Sequence, residues 1–212
     1  MTKPIFAIDG DDVILATGFM KKRWIEENIR DEQLIDKTRT IASISPYECN
    51  LTQLAPIIGR SNYFRMVNDV YGPEWTAATQ PVPGALEGIE ALAQNGNVEV
   101  ITARRAWEVQ NTVDWLRENG AAIRSIKYVD DPDFSCVTAV AGSKKVGIAK
   151  HLGARMLVDD DERHMPKEPV GGLDCLLFGP GDRTSFIASA PHVIVAPTWT
   201  DVVSYSRRYT TG

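Results

Sequence analysis

Short apolar runs alternate with amphipathic segments through most of this 212-residue chain. Apolar runs of this length, bounded by turn residues, are typical of buried strands, and helical segments between them indicate β-α-β units. The chain is therefore predicted to be an α/β protein of three layers, a doubly wound parallel sheet with helices on both faces. We predict strands at 5–8, 98–101, 126–129, 156–158, 175–178 and 193–196, and helices at 85–94, 107–118, 145–152 and 200–207.

The segment 17–79 interrupts this alternation. Its apolar residues, Trp24, Ile25 and Ile29 among them, recur at three-to-four spacing, which favours several short amphipathic helices. The segment is too long to be a simple connection between two strands. We predict a helical cap over 17–79, inserted into a core domain that comprises residues 1–16 and 80–212.

Composition limits the partners and the compartment. Lys and Arg number 23 against 28 Asp and Glu, a net charge of −5, so the chain is a poor candidate for binding duplex nucleic acid. It has no apolar run of about 20 residues that could span a membrane. Cys49, Cys136 and Cys175 show no metal-ligand spacing, which favours reduced thiols and a cytoplasmic location. The oligomeric state is left open, a homodimer included.

Polar residues follow three of the predicted strands directly. Because the carboxyl ends of parallel strands meet at one edge of a sheet, these residues are expected to lie close together. Each alone has an ordinary explanation, such as a solvated turn or a helix cap, whereas the ordered set is much harder to obtain by accident. The set consists of Asp9 and Asp11, then Thr102, then a lysine that opens a helix (Lys144 or Lys145), then Asp159 and Asp160.

This ordered set resembles the haloacid dehalogenase (HAD) superfamily, whose members are mostly magnesium-dependent phosphatases. The resemblance covers 5–18 and roughly 82–178. Within the superfamily, the stretch 101–104 and the residues that follow it look like the deoxyribonucleotidase (5′-nucleotidase) branch, which also carries a helical cap. Asp12 departs from the pattern, since many members have glycine there. The matched motifs are Ile8–Val13, Val100–Thr102, Ser143–Lys145 and Leu157–Asp160.

The resemblance implies hydrolysis of a phosphate monoester through a phosphorylated aspartate. Asp9 would be the nucleophile, and Asp11 the general acid and then the base, with its pKa raised by crowding among carboxylates. Thr102, with Ala103 and Arg104 beside it, would bind the phosphoryl oxygens together with the motif-three lysine. Lys145 is preferred over Lys144 because its helix places it better relative to the fourth motif.

The same resemblance implies a magnesium site. Two carboxylates about 4 Å apart repel by roughly 4 kcal/mol at an effective dielectric of 20, and a divalent cation removes that repulsion. The implied ligands are the Asp9 carboxylate, the Asp11 carbonyl and Asp160, with Asp159 as a ligand or as support. The implied substrate is a small phosphorylated compound, first of all a (deoxy)nucleoside monophosphate.

Other functions remain open at this stage. They are a phosphatase of another small phosphate or of nucleic-acid ends, a non-catalytic phospho-ligand-binding scaffold, a signalling receiver domain and a dehalogenase. The order of motifs disfavours a receiver domain, and a dehalogenase needs neither the Asp11 acid nor the magnesium site. The aromatic residues Phe64, Tyr71 and Trp75 could stack on a nucleobase, although packing inside the cap is favoured. No role is assigned to His151, His164 or His192.

Overall fold

One sheet of six parallel strands forms the centre of the molecule in a computed structural model that describes residues 3–44, 51–181 and 183–209. The strands are β1 Ile5–Ile8, β2 Asn97–Thr102, β3 Ser125–Tyr128, β4 Ala154–Asp159, β5 Asp174–Phe178 and β6 Ile194–Ala196. Their spatial order is β3-β2-β1-β4-β5-β6, so the buried strand β1 lies between β2 and β4. The predicted doubly wound α/β fold is confirmed.

Helices cover both faces of the sheet. They are α6 Ala85–Asn95, α7 Ala106–Glu118, α8 Lys144–His151, α9 Thr184–Ser189 and α10 Trp199–Ser206, of which α9 was not predicted. Successive strand residues point to opposite faces, so Phe6 and Ile8 join one apolar cluster with Trp199, whereas Ala7 joins a second cluster with Val146. The alternating pattern of β1 therefore supplies both halves of the core.

In the described residues between β1 and α6 there are five helices. They are α1 Thr17–Asn28, α2 Glu32–Ile44, α3 Leu51–Ile58, α4 Arg60–Val70 and α5 Pro73–Ala78. Trp24, Leu54 and Met66 belong to a third apolar cluster that these helices form among themselves. The chain enters and leaves this helical part side by side, because the Ala16 N–H donates to the carbonyl of Gln80 at 2.9 Å. Residues 17–79 therefore contain a separate small core, joined to the sheet by two adjacent segments.

Two observations bear on what composition predicted about membrane spans and cysteines. Within the described ranges, no helix combines the length and the apolarity needed to cross a bilayer. Cys136 is an exposed free thiol and Cys175 a buried one, whereas Cys49 lies outside the described residues.

Candidate active site

The carboxyl ends of β1 and β4 meet where the strand order reverses. Chain order runs outward from β1 to β3 on one side and resumes at β4 on the other, and crevices at such reversals bind ligands in open α/β sheets. The Asp9 N–H donates to the Val158 carbonyl at 2.8 Å, which continues the pairing of the two strands by one residue. The chain thereby sets Asp9 beside Asp159, although 150 positions separate them.

Lys145 joins these two carboxylates. Its Nζ lies 2.7 Å from Oδ2 of Asp9 and 2.7 Å from Oδ2 of Asp159, and all three side chains are almost completely buried. Ser143 caps α8 by accepting a hydrogen bond from the Val146 N–H, which positions Lys145 in the first turn of that helix. Lys144 points elsewhere, because its Nζ donates to the carbonyls of Phe134 and Val137. Of the two lysines that the sequence left open, Lys145 reaches the carboxylates.

Burial and this lysine set the charges of the pair. Burial raises the pKa of Asp9 to about 7, against the opposing effect of the Lys145 ammonium. For Asp159 the balance is reversed: burial is outweighed by Lys145 and His164, so its pKa is lowered. Burial alone would lower the pKa of Lys145, but the two carboxylates raise it, so this side chain is a fixed cation.

Thr102 ends β2 against the turn that follows β1. Its side chain is fully buried, and a Cβ built on Gly10 would lie 3.8 Å from its hydroxyl oxygen. That oxygen accepts a hydrogen bond from the Arg104 N–H at 3.1 Å. Thr102 is therefore packed against the Asp9–Asp11 turn but does not line the cavity above it, which Ala103 does.

Asp11 is bound by Arg104, which contradicts the expected rise in the pKa of Asp11. Arg104 is buried, and its guanidinium donates to both Asp11 carboxylate oxygens, with Nη2 to Oδ1 at 2.7 Å and Nε to Oδ2 at 3.1 Å. Thr17 Oγ1 donates to Oδ1 as well, at 2.6 Å. Burial would raise the pKa of Asp11, but the guanidinium outweighs it and lowers the pKa to about 2. Asp11 is therefore ionised here, and Arg104 faces Asp11 rather than the cavity.

Asp12 occupies a position that suits glycine. Its φ is 56°, in the left-handed region that glycine adopts most readily, which accounts for the glycine that the motif usually has at this position. The unfavourable backbone conformation is offset by a hydrogen bond that the Asp12 carboxylate accepts from the Gly18 N–H at 2.7 Å, in the first turn of α1. An acid at the N-terminus of a helix is favoured by the free N–H groups there. Asp12 thus links the strand-end turn to the first helix of the cap.

Asp160 faces the cavity with no compensating partner. Its side chain is buried, yet within the described residues its carboxylate neither accepts a hydrogen bond nor forms an ion pair. Burial and the neighbouring Asp12, Asp159 and Asp9 raise its pKa well above the ordinary value. A carboxylate this poorly compensated is a position at which a cation would be stabilised.

One group of possible metal-ligand atoms lies close together at the strand ends. Asp9, Asp159 and His164 each offer an atom, and these atoms lie within 4.8 Å of one another. Asp159 already contacts Lys145, the Asp161 N–H at 3.0 Å and His164 Nδ1 at 3.1 Å, so it is well satisfied without a metal. Among the described residues, Lys145 is shared by Asp9 and Asp159, and Arg104 pairs with Asp11, so the clustered acids outnumber the cations paired with them. Oxygen ligands with this excess of negative charge suit Mg²⁺.

The cavity above the carboxylates measures about 170 Å³ and is roofed by the helical cap. Lys21 of α1, Tyr63 of α4 and Tyr71 contribute to its lining, as do Arg163 and His164 from the loop after β4. Sequence reasoning assigned no role to His164, and nothing in its spacing distinguishes it. Lys21 did leave a signal: it falls on the same helix face as Thr17, Trp24 and Ile25, where a lysine is unusual.

Most of the other aromatic and charged candidates lie apart from this cavity, although Asp161 contributes to its lining. Phe64 is exposed and Trp75 packs against the cap cluster, so of the three aromatic residues considered for stacking only Tyr71 lines the cavity. Asp161 pairs with Arg163, and Glu162 with Arg183 at 2.9 Å. His151 stacks edge-on against Phe134, and His192 Nε2 lies 3.0 Å from the Pro166 carbonyl.

The arrangement brings together a buried carboxylate held by a lysine, a second acid two residues away and an uncompensated carboxylate. A buried Asp of this kind can act as a nucleophile when nearby positive charge keeps it ionised. The surrounding charges suit an electrophile that carries negative charge of its own, with a cation between it and the acids. Transfer of a phosphoryl group has these requirements.

Comparison with known proteins shows the fold. No protein-family model matches the chain, and no curated protein matches it by sequence. Its structure is similar to that of the HAD-hydrolase YfnB from Bacillus subtilis, solved bound to magnesium, with a TM-score of 0.63 and 14% identity over 97% of this chain and 99% of that one. The architecture is therefore that of HAD-superfamily hydrolase structures.

Two further structures show the range of proteins with this fold. The haloacid dehalogenase-like hydrolase SP0104 from Streptococcus pneumoniae has a TM-score of 0.57 at 13% identity, covering 96% of this chain and 98% of that one. The L-2-haloacid dehalogenase from Xanthobacter autotrophicus has a TM-score of 0.55 at 13% identity, covering 98% and 99%. Since the fold carries more than one chemistry, the side chains at the strand ends have to distinguish between them.

Proposed function

We propose that this chain is a magnesium-dependent phosphomonoesterase of the HAD superfamily. The observation that carries the proposal is the contact of the Lys145 ammonium with both Asp9 and Asp159 at the tips of adjacent strands. The poorly compensated Asp160 beside them supports a metal-dependent reaction. A dehalogenase has no need of an uncompensated acid in addition to its nucleophile, so the acidic cluster favours phosphoryl transfer.

In the proposed reaction a carboxylate oxygen of Asp9 forms a bond to phosphorus while the ester P–O bond breaks. The leaving-group oxygen takes up a proton and departs as an alcohol. Water then attacks the phosphorus of the aspartyl phosphate, which releases inorganic phosphate and regenerates Asp9. Lys145 orients the Asp9 carboxylate and neutralises part of the charge that the phosphoryl oxygens bring into the site.

The Asp9 and Asp160 carboxylates and the Asp11 carbonyl would hold the metal. Mg²⁺, when bound, supplies the positive charge that keeps Asp9 ionised and attracts the phosphate. Asp159 supports the site instead, because Lys145, His164 and a backbone N–H already occupy its oxygens. His164 extends this support by fixing the Asp159 side chain.

Asp11 is placed to protonate the leaving group only after its contact with Arg104 changes. With its pKa at about 2, Asp11 has no proton to give at neutral pH. We propose that the bound substrate draws the Arg104 guanidinium away, so that burial again raises the pKa of Asp11. Leaving groups that need no proton would bypass this step.

We expect the purified protein to release inorganic phosphate from small phosphate monoesters in the presence of Mg²⁺. Removing the metal with EDTA is expected to lower the rate by about 100-fold or more, since the metal contributes several kcal/mol to charge stabilisation. Phosphate release from a panel of nucleoside monophosphates and sugar phosphates measures this, and halide release from 2-chloropropionate is measured in parallel. Halide release without phosphate release from any ester would replace the proposal with a dehalogenase.

We expect Asp11→Asn to affect substrates according to their leaving groups. A general acid contributes about 10²- to 10⁴-fold, so hydrolysis of an alkyl phosphate such as glycerol 3-phosphate should fall by that factor. Hydrolysis of p-nitrophenyl phosphate, whose leaving group departs as a stable anion, should fall by less than about tenfold. Rates of both substrates with the wild type and the variant measure the difference. Equal losses would show that Asp11 is not the acid.

The resemblance of the 101–104 region to deoxyribonucleotidases makes a (deoxy)nucleoside monophosphate the first substrate suggested by sequence. The cavity of about 170 Å³ is smaller than the roughly 300–1,000 Å³ typical of sites for drug-sized ligands. A nucleotide would therefore require the cap to move away from the sheet. A compact phosphate ester fits beneath the cap as it stands, and the substrate panel includes both kinds.

A further inference from the structure

We propose that Lys21 binds a carboxylate on the leaving group, so that the substrate is the phosphate ester of a small hydroxy acid. This inference rests on the phosphomonoesterase proposed above and names the class of its substrate. It concerns the roof of the cavity, formed by the helical cap, rather than the acidic floor.

Lys21 is a buried ammonium without a polar partner. Its side chain is 6% exposed, and within the described residues it forms no hydrogen bond and no ion pair. Its Nζ lies over the face of the Tyr71 ring, 5.7 Å from the centroid. An ammonium has three donors, and burying them unfilled is unfavourable, so a ligand that accepts from them gains affinity.

The ammonium is directed into the same cavity as Asp9. Lys21 and Tyr71 line it from above, whereas Asp9, Lys145 and Asp160 line it from below. Lys145 pairs with Asp9 and Asp159 on the floor, and the proposed metal would neutralise Asp160 beside them. Lys21 is therefore left to interact with another part of the substrate.

That part is the leaving group. Lys21 lies on α1 one turn after Thr17 and Gly18, which contact the carboxylates of Asp11 and Asp12, whereas Lys145 contacts Asp9 and Asp159. Lys21 thus lies on the side of the proposed general acid, next to which the departing oxygen has to be. The phosphoryl group lies on the opposite side, with Lys145.

The neighbouring acids have other partners and form no ion pair with Lys21 within the described residues. Asp11 is already paired with Arg104 in two hydrogen bonds, and Asp12 accepts from the Gly18 N–H at the start of α1. The Tyr71 hydroxyl also makes no hydrogen bond within the described residues, so it offers a second donor close to Lys21. A carboxylate, with two acceptor oxygens, matches an ammonium and a phenol better than an uncharged nucleoside does.

The test compares two substrates that differ in one group. 3-Phosphoglycerate carries a carboxylate where glycerol 3-phosphate carries a hydroxymethyl group. The wild type is expected to favour 3-phosphoglycerate in kcat/KM by about 10- to 100-fold, the range for a hydrogen bond to a charged group. Lys21→Met should abolish this preference by raising KM for 3-phosphoglycerate far more than KM for glycerol 3-phosphate.

Two further variants separate recognition from structure. Lys21→Arg keeps the charge and should keep most of the preference. Lys22→Met makes the same change at the next position of α1, which does not line the cavity, and should behave as the wild type does. Equal slowing of both substrates in Lys21→Met, or no preference in the wild type, would overturn the inference.

Binding separates failure of this inference from failure of the proposed function. Phosphonoacetate and ethylphosphonate differ in the same carboxylate and cannot be hydrolysed as esters. If no ester is hydrolysed, the enzymatic proposal is wrong, and calorimetry with these two compounds decides the role of Lys21. Tighter binding of phosphonoacetate by about tenfold, lost in Lys21→Met, would support the carboxylate site. Equal binding of the two would overturn it.

Discussion

Asp9→Asn is expected to lower the rate of phosphate release by about 10⁴-fold or more, the scale of loss when an enzyme nucleophile is removed. The amide has almost the same shape as the carboxylate but cannot accept a phosphoryl group. The Asp9 side chain is held by Lys145 and by the backbone of the next residue, since the Gly10 N–H donates to Oδ1 at 2.7 Å. The variant should therefore keep the fold of the site but lose the reaction. Steady-state phosphate release measures the rate, and acid-quench trapping measures how much phosphorylated protein forms.

The matched control is Asp130→Asn, the same change at an exposed aspartate away from the cavity, and it should leave the rate unaltered. The melting temperature of Asp9→Asn should stay within about 4 °C of the wild type, the shift that corresponds to roughly 1 kcal/mol for a chain of this size. A folded Asp9→Asn protein that retained a tenth or more of the activity would exclude Asp9 as the nucleophile.

The strand-end residues could be predicted from sequence because each depends on a local pattern. An apolar run predicts a buried strand, and the parallel sheet places the residues after Ile8 and Val158 at the same edge. Thr102 follows from the same rule, and its side chain lies against the Gly10 turn. The choice of Lys145 over Lys144 depended on where helix α8 begins, which the Ser143 cap decides.

The pairing of Asp11 with Arg104 could not be predicted in this way. Crowding among carboxylates was expected to raise the pKa of Asp11. That expectation holds only if no cation lies closer to Asp11 than the other acids do, and a sequence does not show this. Arg104 comes from the loop after β2, and its direction is decided by contacts with the cap, including Thr76 Oγ1 at 3.2 Å and the Tyr71 ring at 4.6 Å. Those contacts join segments that no local pattern relates.

The same limit applies to the roof of the cavity. The three-to-four spacing in 17–79 predicts helices, but it does not say which face of α1 looks toward Asp9. Lys21 could have been noticed as a charge among apolar neighbours, yet the direction of its ammonium depends on how the cap sits over the sheet. Under the proposed function, substrate choice would depend on that relation between cap and core, and the chemistry on the residues at the strand ends.

Lys145→Met is expected to abolish catalysis and to destabilise the fold at the same time. The substitution leaves Asp9 and Asp159 buried side by side without their shared cation, and breaking such a buried pair costs about 3–5 kcal/mol. The melting temperature should therefore fall by roughly 6–20 °C, at about 2–4 °C for each kcal/mol. Thermal unfolding followed by circular dichroism, together with phosphate release, measures the two losses.

A double variant separates the lost charge contact from any loss of packing. Lys145→Met/Asp159→Asn removes the acid that was left unpaired, so it should be more stable than Lys145→Met alone, although it remains inactive. Lys144→Met, which disturbs only hydrogen bonds to two carbonyls, should keep most of the activity. If Lys144→Met were inactive and Lys145→Met active, the other lysine would carry the third motif. If the double variant were no more stable than Lys145→Met, the stabilisation would come from packing of the lysine stem, because unpaired charge on Asp159 would then cost nothing.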